Sequence, residues 1–123
     1  MNKHFAPMTE LERERIKDAF SEAVNMSAAE LEDWLATQES QKVGWKGADG
    51  SMRESVGHAS GRRIVAILRK GKRELTSEDY AHMRKVVGFV RRHSAQRPEN
   101  IYTSRWRYSL MNWGHARRQE VGC

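Results

Sequence analysis

The chain has 123 residues, a length typical of one domain, and 31% of its residues are charged against 38% hydrophobic. A domain of this size buries about two-thirds of its unfolded surface, which is enough for a core without disulfides or metal. No apolar run approaches the roughly 20 residues of a membrane span, the N-terminus lacks the apolar block of a signal peptide, and Cys123 has no internal disulfide partner. These features predict a cytoplasmic protein without a membrane partner.

The net charge of +6 is distributed unevenly along the chain. Residues 1–50 hold 6 Lys and Arg against 10 Asp and Glu, a balance of −4, whereas residues 51–123 hold 16 against 6, a balance of +10. A basic half in a small domain indicates a polyanionic partner such as nucleic acid.

Capping boxes predict the starts of the first two helices. In TELE at 9–12 and SAAE at 27–30, a hydroxyl side chain precedes a glutamate by three residues, which satisfies the free amides of a helix start. The first helix is expected to end near residue 24 and the second near residues 37–39.

The segment at 41–61 is the least regular part of the chain, with glycines recurring among polar residues. Its first part, 41–54, is predicted to be a flexible loop because it contains the turn signal ADGS. It lacks the G-x-x-x-x-G-K-[ST] pattern of a nucleotide-binding loop. Trp45 either contacts a partner or pins the loop to the core, and the sequence leaves both interpretations open.

Two central helices are predicted at 55–70 and 77–93, with Gly71 as the stop of the first. At 100° per residue the second helix has a single apolar arc, which predicts a core face. The arc contains Tyr80, Met83, Val86, Val87 and Val90. The first helix carries the apolar stripe Ile64, Val65, Ile67 and Leu68.

A last helix is predicted at 104–115, where Trp106, Leu110 and Trp113 share one face and Gly114 ends the helix. No period-two pattern typical of strands occurs. The predicted fold is therefore all-α, a compact orthogonal bundle of about five helices with a glycine-rich loop, forming a single domain over residues 1–123. Residues 1–8 and 116–123 are expected to be loose.

The basic side chains of the central helices form the candidate binding site. One predicted edge consists of Arg62, Arg63, Arg69, Lys70, Lys72 and Arg73, and the other of Arg84, Lys85, Arg91, Arg92 and Arg97. On the second helix, Ala81 and Gly88 lie between the two rows of cations and leave a shallow trough. Either a phosphate chain or another helix of the domain can occupy that space.

No pattern for catalysis or metal binding occurs in the sequence. The histidines fit no motif such as H-E-x-x-H, and no cysteine lies near them. His82 and His93 are expected to be hydrogen-bonded histidines at the edge of the core, whereas His58 and His115 meet Glu54 or Arg107 only if the fold brings them together. No enzymatic activity and no cofactor are predicted.

Several segments together resemble the uncharacterised family numbered 3140 among the domains of unknown function. They are VNMS at 24–27, EL at 30–31, WL at 34–35, SVGH at 55–58, GRRIV at 61–65, YAHMRKVVG at 80–88 and RWRYSLMNWGH at 105–115. The resemblance covers about residues 16–115 and implies a small stand-alone helical domain. Some members carry the label DNA-binding, and the resemblance supplies no catalytic residues.

The predicted function is nucleic-acid binding, with double-stranded DNA contacted mainly through phosphates and with little sequence preference. A DNA-binding protein of this kind would be associated with the nucleoid. The alternative is a protein-interaction module in which acidic and basic faces pair, as in a homodimer or another homo-oligomer.

Overall fold

The structure, a computed structural model, describes residues 8–99 and 105–117. These residues form six α-helices and one 3-10 turn without a strand, which confirms the all-α prediction. The helices are α1 (Glu10–Ala23), α2 (Ala28–Leu35), α3 (Gln38–Lys42), α4 (Val56–Leu68), α5 (Ser77–Ser94) and α6 (Arg105–Asn112), and the 3-10 turn is Lys72–Glu74. All are the expected helices except α3, which occupies the segment where α2 was expected to end and the loop to begin.

Hydroxyl caps set the starts of α1 and α2, as the sequence predicted. Thr9 and Ser27 each accept a hydrogen bond from the amide three residues on, and the glutamates at those positions bond back to complete the capping boxes. Ser55 starts α4 by accepting from the His58 amide at 3.0 Å. Each such cap contributes about 1 kcal/mol to helix stability.

The end of α4 differs from the prediction. The helix ends at Leu68 with Arg69 as its cap, and Gly71 lies in extended geometry at φ −72°, where it starts the 3-10 turn instead of stopping the helix. Leu68 was predicted to be buried but is exposed, as the last residue of α4. Gly114, two residues after the end of α6, has the left-handed geometry of a helix stop, with φ +83°, as predicted.

The core is one continuous cluster to which five of the six helices contribute. The most extensive helix–helix contacts pair α1 with α5 and α2 with α4, and α6 contacts α2, α3, α4 and α5. The predicted apolar arc of α5 is buried along its whole length, which confirms it as the core face. The fully buried residues include Leu31, Ile64, Met83, Val86 and Leu110.

A close contact between α4 and α6 depends on Gly61. A Cβ placed on Gly61 would lie 2.5 Å from the backbone oxygen of Asn112 and 2.7 Å from Leu35 Cδ2. The buried Asn112 side chain accepts hydrogen bonds from Trp34 Nε1 at 2.7 Å and from Ser40 Oγ at 2.5 Å. This network joins α2, α3 and α6, and the next residue, Trp113, lies against Gly57 in the first turn of α4.

The glycine-rich loop between α3 and α4 consists of defined turns. The amides of Gly50, Met52 and Val56 donate to backbone oxygens of Gly47, Lys46 and Trp45, respectively. The last of these bonds, at 2.9 Å, closes the loop against the start of α4. Loop flexibility stays a prediction, and the structure shows the turns joined by these three backbone bonds.

The predicted loose ends lie mostly outside the described residues, at 1–7 and 118–123. Ala116 is buried, and its backbone exchanges two hydrogen bonds with the Asn25 side chain. Within the part of the chain that the structure describes, no helix combines the length and apolar character that crossing a membrane requires.

Candidate functional site

Helix α5 carries four exposed cations on the side opposite its core face. Arg84 and Arg91 form one row and Lys85 and Arg92 the other, each pair separated by two helical turns, or about 10 Å along the axis. Within residues 8–99 and 105–117, no ion pair engages any of these four side chains. We call this set the α5 row.

The trough predicted within the α5 row is open. Ala81 is exposed, and a Cβ placed on Gly88 would have Arg92 Nη1 as its nearest neighbour, at 3.0 Å. A groove of about 450 Å3 runs beside Gly88, bordered by Arg84 and Arg91 on α5 and by Arg15 on α1. Helix α1 thus forms a wall of this groove and leaves the space above Gly88 uncovered.

The other side of the α5 row faces the glycine-rich loop. A cavity of about 260 Å3 lies there, lined by Lys85 and Arg92 together with aromatic side chains. Phe89 and Trp113 stack with their ring centroids 4.3 Å apart and their planes at 13°. Trp45 lines the same cavity and is 62% exposed, so it does not pin the loop to the core.

Two of the predicted cations, Arg62 on α4 and Arg69 directly after it, are held by carboxylates. Arg62 donates two hydrogen bonds to Glu54, at 2.6 and 2.7 Å, and Arg69 donates two to Glu32, both at 3.0 Å. The Arg62 guanidinium, with a smaller contribution from His58, lowers the pKa of Glu54 to about 2. These two arginines therefore present paired charges at the surface.

Two more cations, Arg63 on α4 and Lys70 after its end, converge on Asp79 at the start of α5. Lys70 Nζ lies 2.6 Å from one carboxylate oxygen, and Arg63 Nη2 lies 3.3 Å from the other. Asp79 is buried, and the hydrogen bond from Lys70, followed by that from the Thr76 amide, lowers its pKa to about 2. The ion pair links α4 to the capping box of α5.

The remaining predicted cations lie apart from the α5 row. Lys72 and Arg73, on the 3-10 turn, line a cavity with Glu10 and Glu14 of α1, and Arg97 is exposed beyond the end of α5. The two continuous edges expected from the sequence are therefore distributed over several faces. The structure brings together Arg84, Lys85, Arg91 and Arg92, and it places Arg63 next to Lys85 in one cavity.

The histidines take structural positions in this arrangement. His82 Nε2 lies 2.9 Å from Ser60 Oγ, which confirms a hydrogen-bonded histidine, and burial, followed by the charges of Arg63 and Lys85, lowers its pKa. Burial also lowers the pKa of His93, whose Nε2 has no hydrogen-bond partner among the described residues, contrary to the hydrogen bond expected for this ring. The described residues contain no cluster of three or more His, Cys, Asp or Glu side chains placed to hold a metal.

The fold brings His58 and Glu54 together, one of the convergences that the sequence left open. His58 Nδ1 lies 2.5 Å from Glu54 Oε2, and His58 Nε2 lies 2.8 Å from the Leu35 carbonyl oxygen. The ring therefore ties the end of the glycine-rich loop to the end of α2. His115 instead donates through Nδ1 to the Ala23 carbonyl oxygen at 2.7 Å.

Sequence reasoning missed two cations at the borders of the α5 row. Arg15 on α1 faces Arg84 and Arg91 across the groove beside Gly88. Arg53, at the end of the glycine-rich loop, lines a cavity of about 590 Å3 with Arg63 and Lys85. No local sequence pattern assigns either arginine to the site, because its position beside α5 depends on which segment packs there.

Comparison with curated proteins and with solved structures found no match. The family model described as "Protein of unknown function (DUF3140)" matches residues 19–111, three-quarters of the chain, from the second half of α1 to the last turn of α6. The resemblance stated from the sequence is thereby confirmed, and the chain belongs to this family of unknown function.

Proposed function

We propose that the protein binds nucleic acid, with double-stranded DNA as its target, through phosphate contacts made by the α5 row. The observation that carries the proposal is the set of four exposed side chains, Arg84, Lys85, Arg91 and Arg92, without an ion pair among the described residues. Cations in this state contact phosphates and release condensed counterions without first giving up a carboxylate partner. Such a function implies a cytoplasmic, nucleoid-associated location.

The trough supports the approach of a phosphate chain to the helix. Gly88 and Ala81 leave only short side chains between the two rows, so a phosphate can reach donors on both sides. Three of the four cations are arginines, whose planar fork of donors matches phosphate oxygens in pairs.

The distribution of charge along α5 argues against base reading. Glu78 and Asp79 occupy the first turn, whereas the cations continue to Arg92 in the last turns. Helices that read bases in the major groove present the contacting side chains near their N-terminus, whereas the first turn of α5 carries no cation and its Asp79 is buried in ion pairs. We therefore predict weak sequence discrimination, and a selection experiment that returned one sharp motif would contradict it.

Charge reversal in the α5 row tests the proposal. The double variant R84E/R91E is compared with R62E/R69E, which changes the net charge equally but alters cations already held by Glu54 and Glu32. We expect R84E/R91E to weaken binding of a labelled duplex by about tenfold or more, and R62E/R69E to have a clearly smaller effect. The readout is fluorescence anisotropy at fixed salt.

Thermal melts of both variants establish that each is folded at the temperature of the titration. Equal losses of affinity in the two folded variants would mean that net charge alone governs binding, and the α5 row would not be the interface.

A further inference from the structure

Two adjoining cavities separate the glycine-rich loop from α5. Their volumes are about 590 and 260 Å3, and both are lined by Val56, Lys85 and Trp113. Small-molecule sites typically occupy about 300–1,000 Å3, so the larger cavity alone accommodates a group the size of a nucleotide. We call the two cavities together the loop groove.

The mouth of the loop groove exposes large apolar side chains. Trp45, 62% exposed, lines the smaller cavity, and Met52, 43% exposed, lines the larger. Only four large hydrophobic side chains are exposed among the described residues, and two of them are here. The stacked pair of Phe89 and Trp113 also lines the smaller cavity, and Trp113 lines the larger one as well.

The loop groove has an excess of positive charge. Its lining cations are Arg53, Lys85 and Arg92, together with Arg63, which is already paired with Asp79. Glu54 is the one carboxylate among its lining residues, and it is already paired with Arg62 and His58. The groove therefore combines apolar rings with an excess of cations.

Ser60 and His82 add a polar pair to the wall of the larger cavity, 2.9 Å apart. Burial and the neighbouring cations lower the pKa of His82, which favours the neutral ring, a hydrogen-bonding group without charge. Neutral donors and acceptors of this kind suit the edge of a nucleobase better than a second phosphate.

We propose that the loop groove receives an unpaired nucleotide of a DNA strand whose neighbouring phosphates lie on the α5 row. The proposal rests on the proposed function and deepens it, since Lys85 belongs to both the row and the groove. Proteins usually bind unpaired bases by stacking them on exposed aromatic rings while nearby cations contact the phosphates of the same strand. Bases inside a continuous duplex are stacked and paired, so they do not reach Trp45. The protein therefore prefers DNA that contains unpaired nucleotides.

The test compares a short labelled duplex with the same duplex carrying a small bulge of unpaired thymidines, at one salt concentration and with the full chain. We expect the bulged DNA to bind about fivefold or more tightly, because stacking of one base on an aromatic side chain is worth at least that factor. W45A should abolish this preference and leave the affinity for the continuous duplex unchanged. W45F, which keeps an aromatic ring, should restore most of the preference.

L11A is the matched control, since Leu11 is 55% exposed on α1 and does not line the loop groove. It should keep both the duplex affinity and the preference. The Trp45 variants retain the backbone bond from Val56 that closes the loop, so their melting temperatures should equal that of the wild type.

Several results would overturn the inference. Equal binding of bulged and continuous DNA by the wild type would refute it and leave the proposed function standing. If W45A kept the full preference for bulged DNA, the unpaired base would have to bind outside the loop groove. Binding of free adenosine monophosphate that depends on Trp45, without a preference for bulged DNA, would assign the groove to a free nucleotide. Failure to bind either DNA would refute the proposed function and, with it, this inference.

Discussion

Two glycines in the central helices have opposite surroundings, and alanine at each should have opposite effects. At Gly61 a Cβ would overlap the Asn112 backbone oxygen at 2.5 Å, and backbone does not yield easily. At Gly88 the nearest atom is the tip of the exposed Arg92 side chain, 3.0 Å away, which can rotate aside.

We predict that Gly61→Ala lowers the free energy of unfolding by roughly 1–3 kcal/mol through overpacking. Gly88→Ala should raise it by up to about 1 kcal/mol, because alanine is the better helix former. Urea denaturation of both variants checks the pair, and a stabilised Gly61→Ala would show that α4 and α6 do not meet closely at this position.

Asp79 gives the fold an acid-sensitive ion pair. Its pKa is lowered from 3.8 to about 2, so the folded state binds a proton less readily than the unfolded state. The resulting stabilisation is fully present above about pH 4 and is lost as the pH falls toward 2, and it amounts to roughly 2 kcal/mol.

We expect Asp79→Asn to be less stable than the wild type at pH 7 and closer to it at pH 2, since asparagine still accepts from the Thr76 amide but carries no charge. Glu54, whose pKa is also held at about 2, accounts for a further part of the acid sensitivity. Denaturant midpoints measured across pH provide the check. If the stability difference between Asp79→Asn and the wild type were the same at every pH in this range, the Asp79 ion pair would not be a source of the acid sensitivity.

At the scale of elements, the glycine-rich loop depends on Gly44 more than on Gly50. Gly44 has φ +101°, and a Cβ there would lie 2.8 Å from the Oγ of Ser55, the residue that caps α4. Gly50 has φ +73° and no atom within 4 Å of such a Cβ.

Gly44→Ala should therefore destabilise the protein by roughly 1–3 kcal/mol through backbone strain, with a further loss from displacement of the cap. Gly50→Asn should be nearly neutral, because asparagine tolerates left-handed geometry. Thermal melts of the two variants test this difference, and equal destabilisation would argue that the loop does not support α4.

The sequence was sufficient to predict the helices whose signals are local. The capping boxes at Thr9 and Ser27 and the apolar arc of α5 lie within a few turns of chain, and the structure places them as expected. Helix α3 was not predicted, because its five residues show no apolar periodicity. Its cap at Thr37 is local, but the bond from the buried Ser40 side chain to Asn112 depends on a partner 72 residues away.

The candidate site was predictable only in part, for the same reason. The spacing of Arg84, Lys85, Arg91 and Arg92 follows from helix geometry alone, so their two rows could be predicted. Whether a cation is paired depends on distant carboxylates, as with Arg69 and Glu32, which are 37 residues apart. The loop groove depends on how the glycine-rich loop folds back on α4 and α5, which no local pattern indicates.

At the scale of the whole molecule, the acidic and basic halves meet within one chain. Glu32 of α2 pairs with Arg69 beyond α4, and Glu10 and Glu14 of α1 lie beside Lys72 and Arg73. The alternative function requires the acidic face of one copy to pair with the basic face of another. The contacts within the chain already use some of the charges that such pairing would need. We therefore predict a sedimentation coefficient independent of protein concentration, and concentration-dependent assembly without duplex binding would favour the interaction module.

The salt dependence of duplex binding tests the central claim most directly. If the α5 row and its neighbours neutralise about four to seven phosphates, the logarithm of affinity should fall linearly with the logarithm of salt concentration, with a slope between about −4 and −6. Anisotropy titrations of one labelled duplex over a range of salt concentrations measure this slope, and R84E/R91E should make it less steep by about two contacts. A slope near zero, or the same slope in R84E/R91E as in the wild type, would contradict phosphate binding by the α5 row.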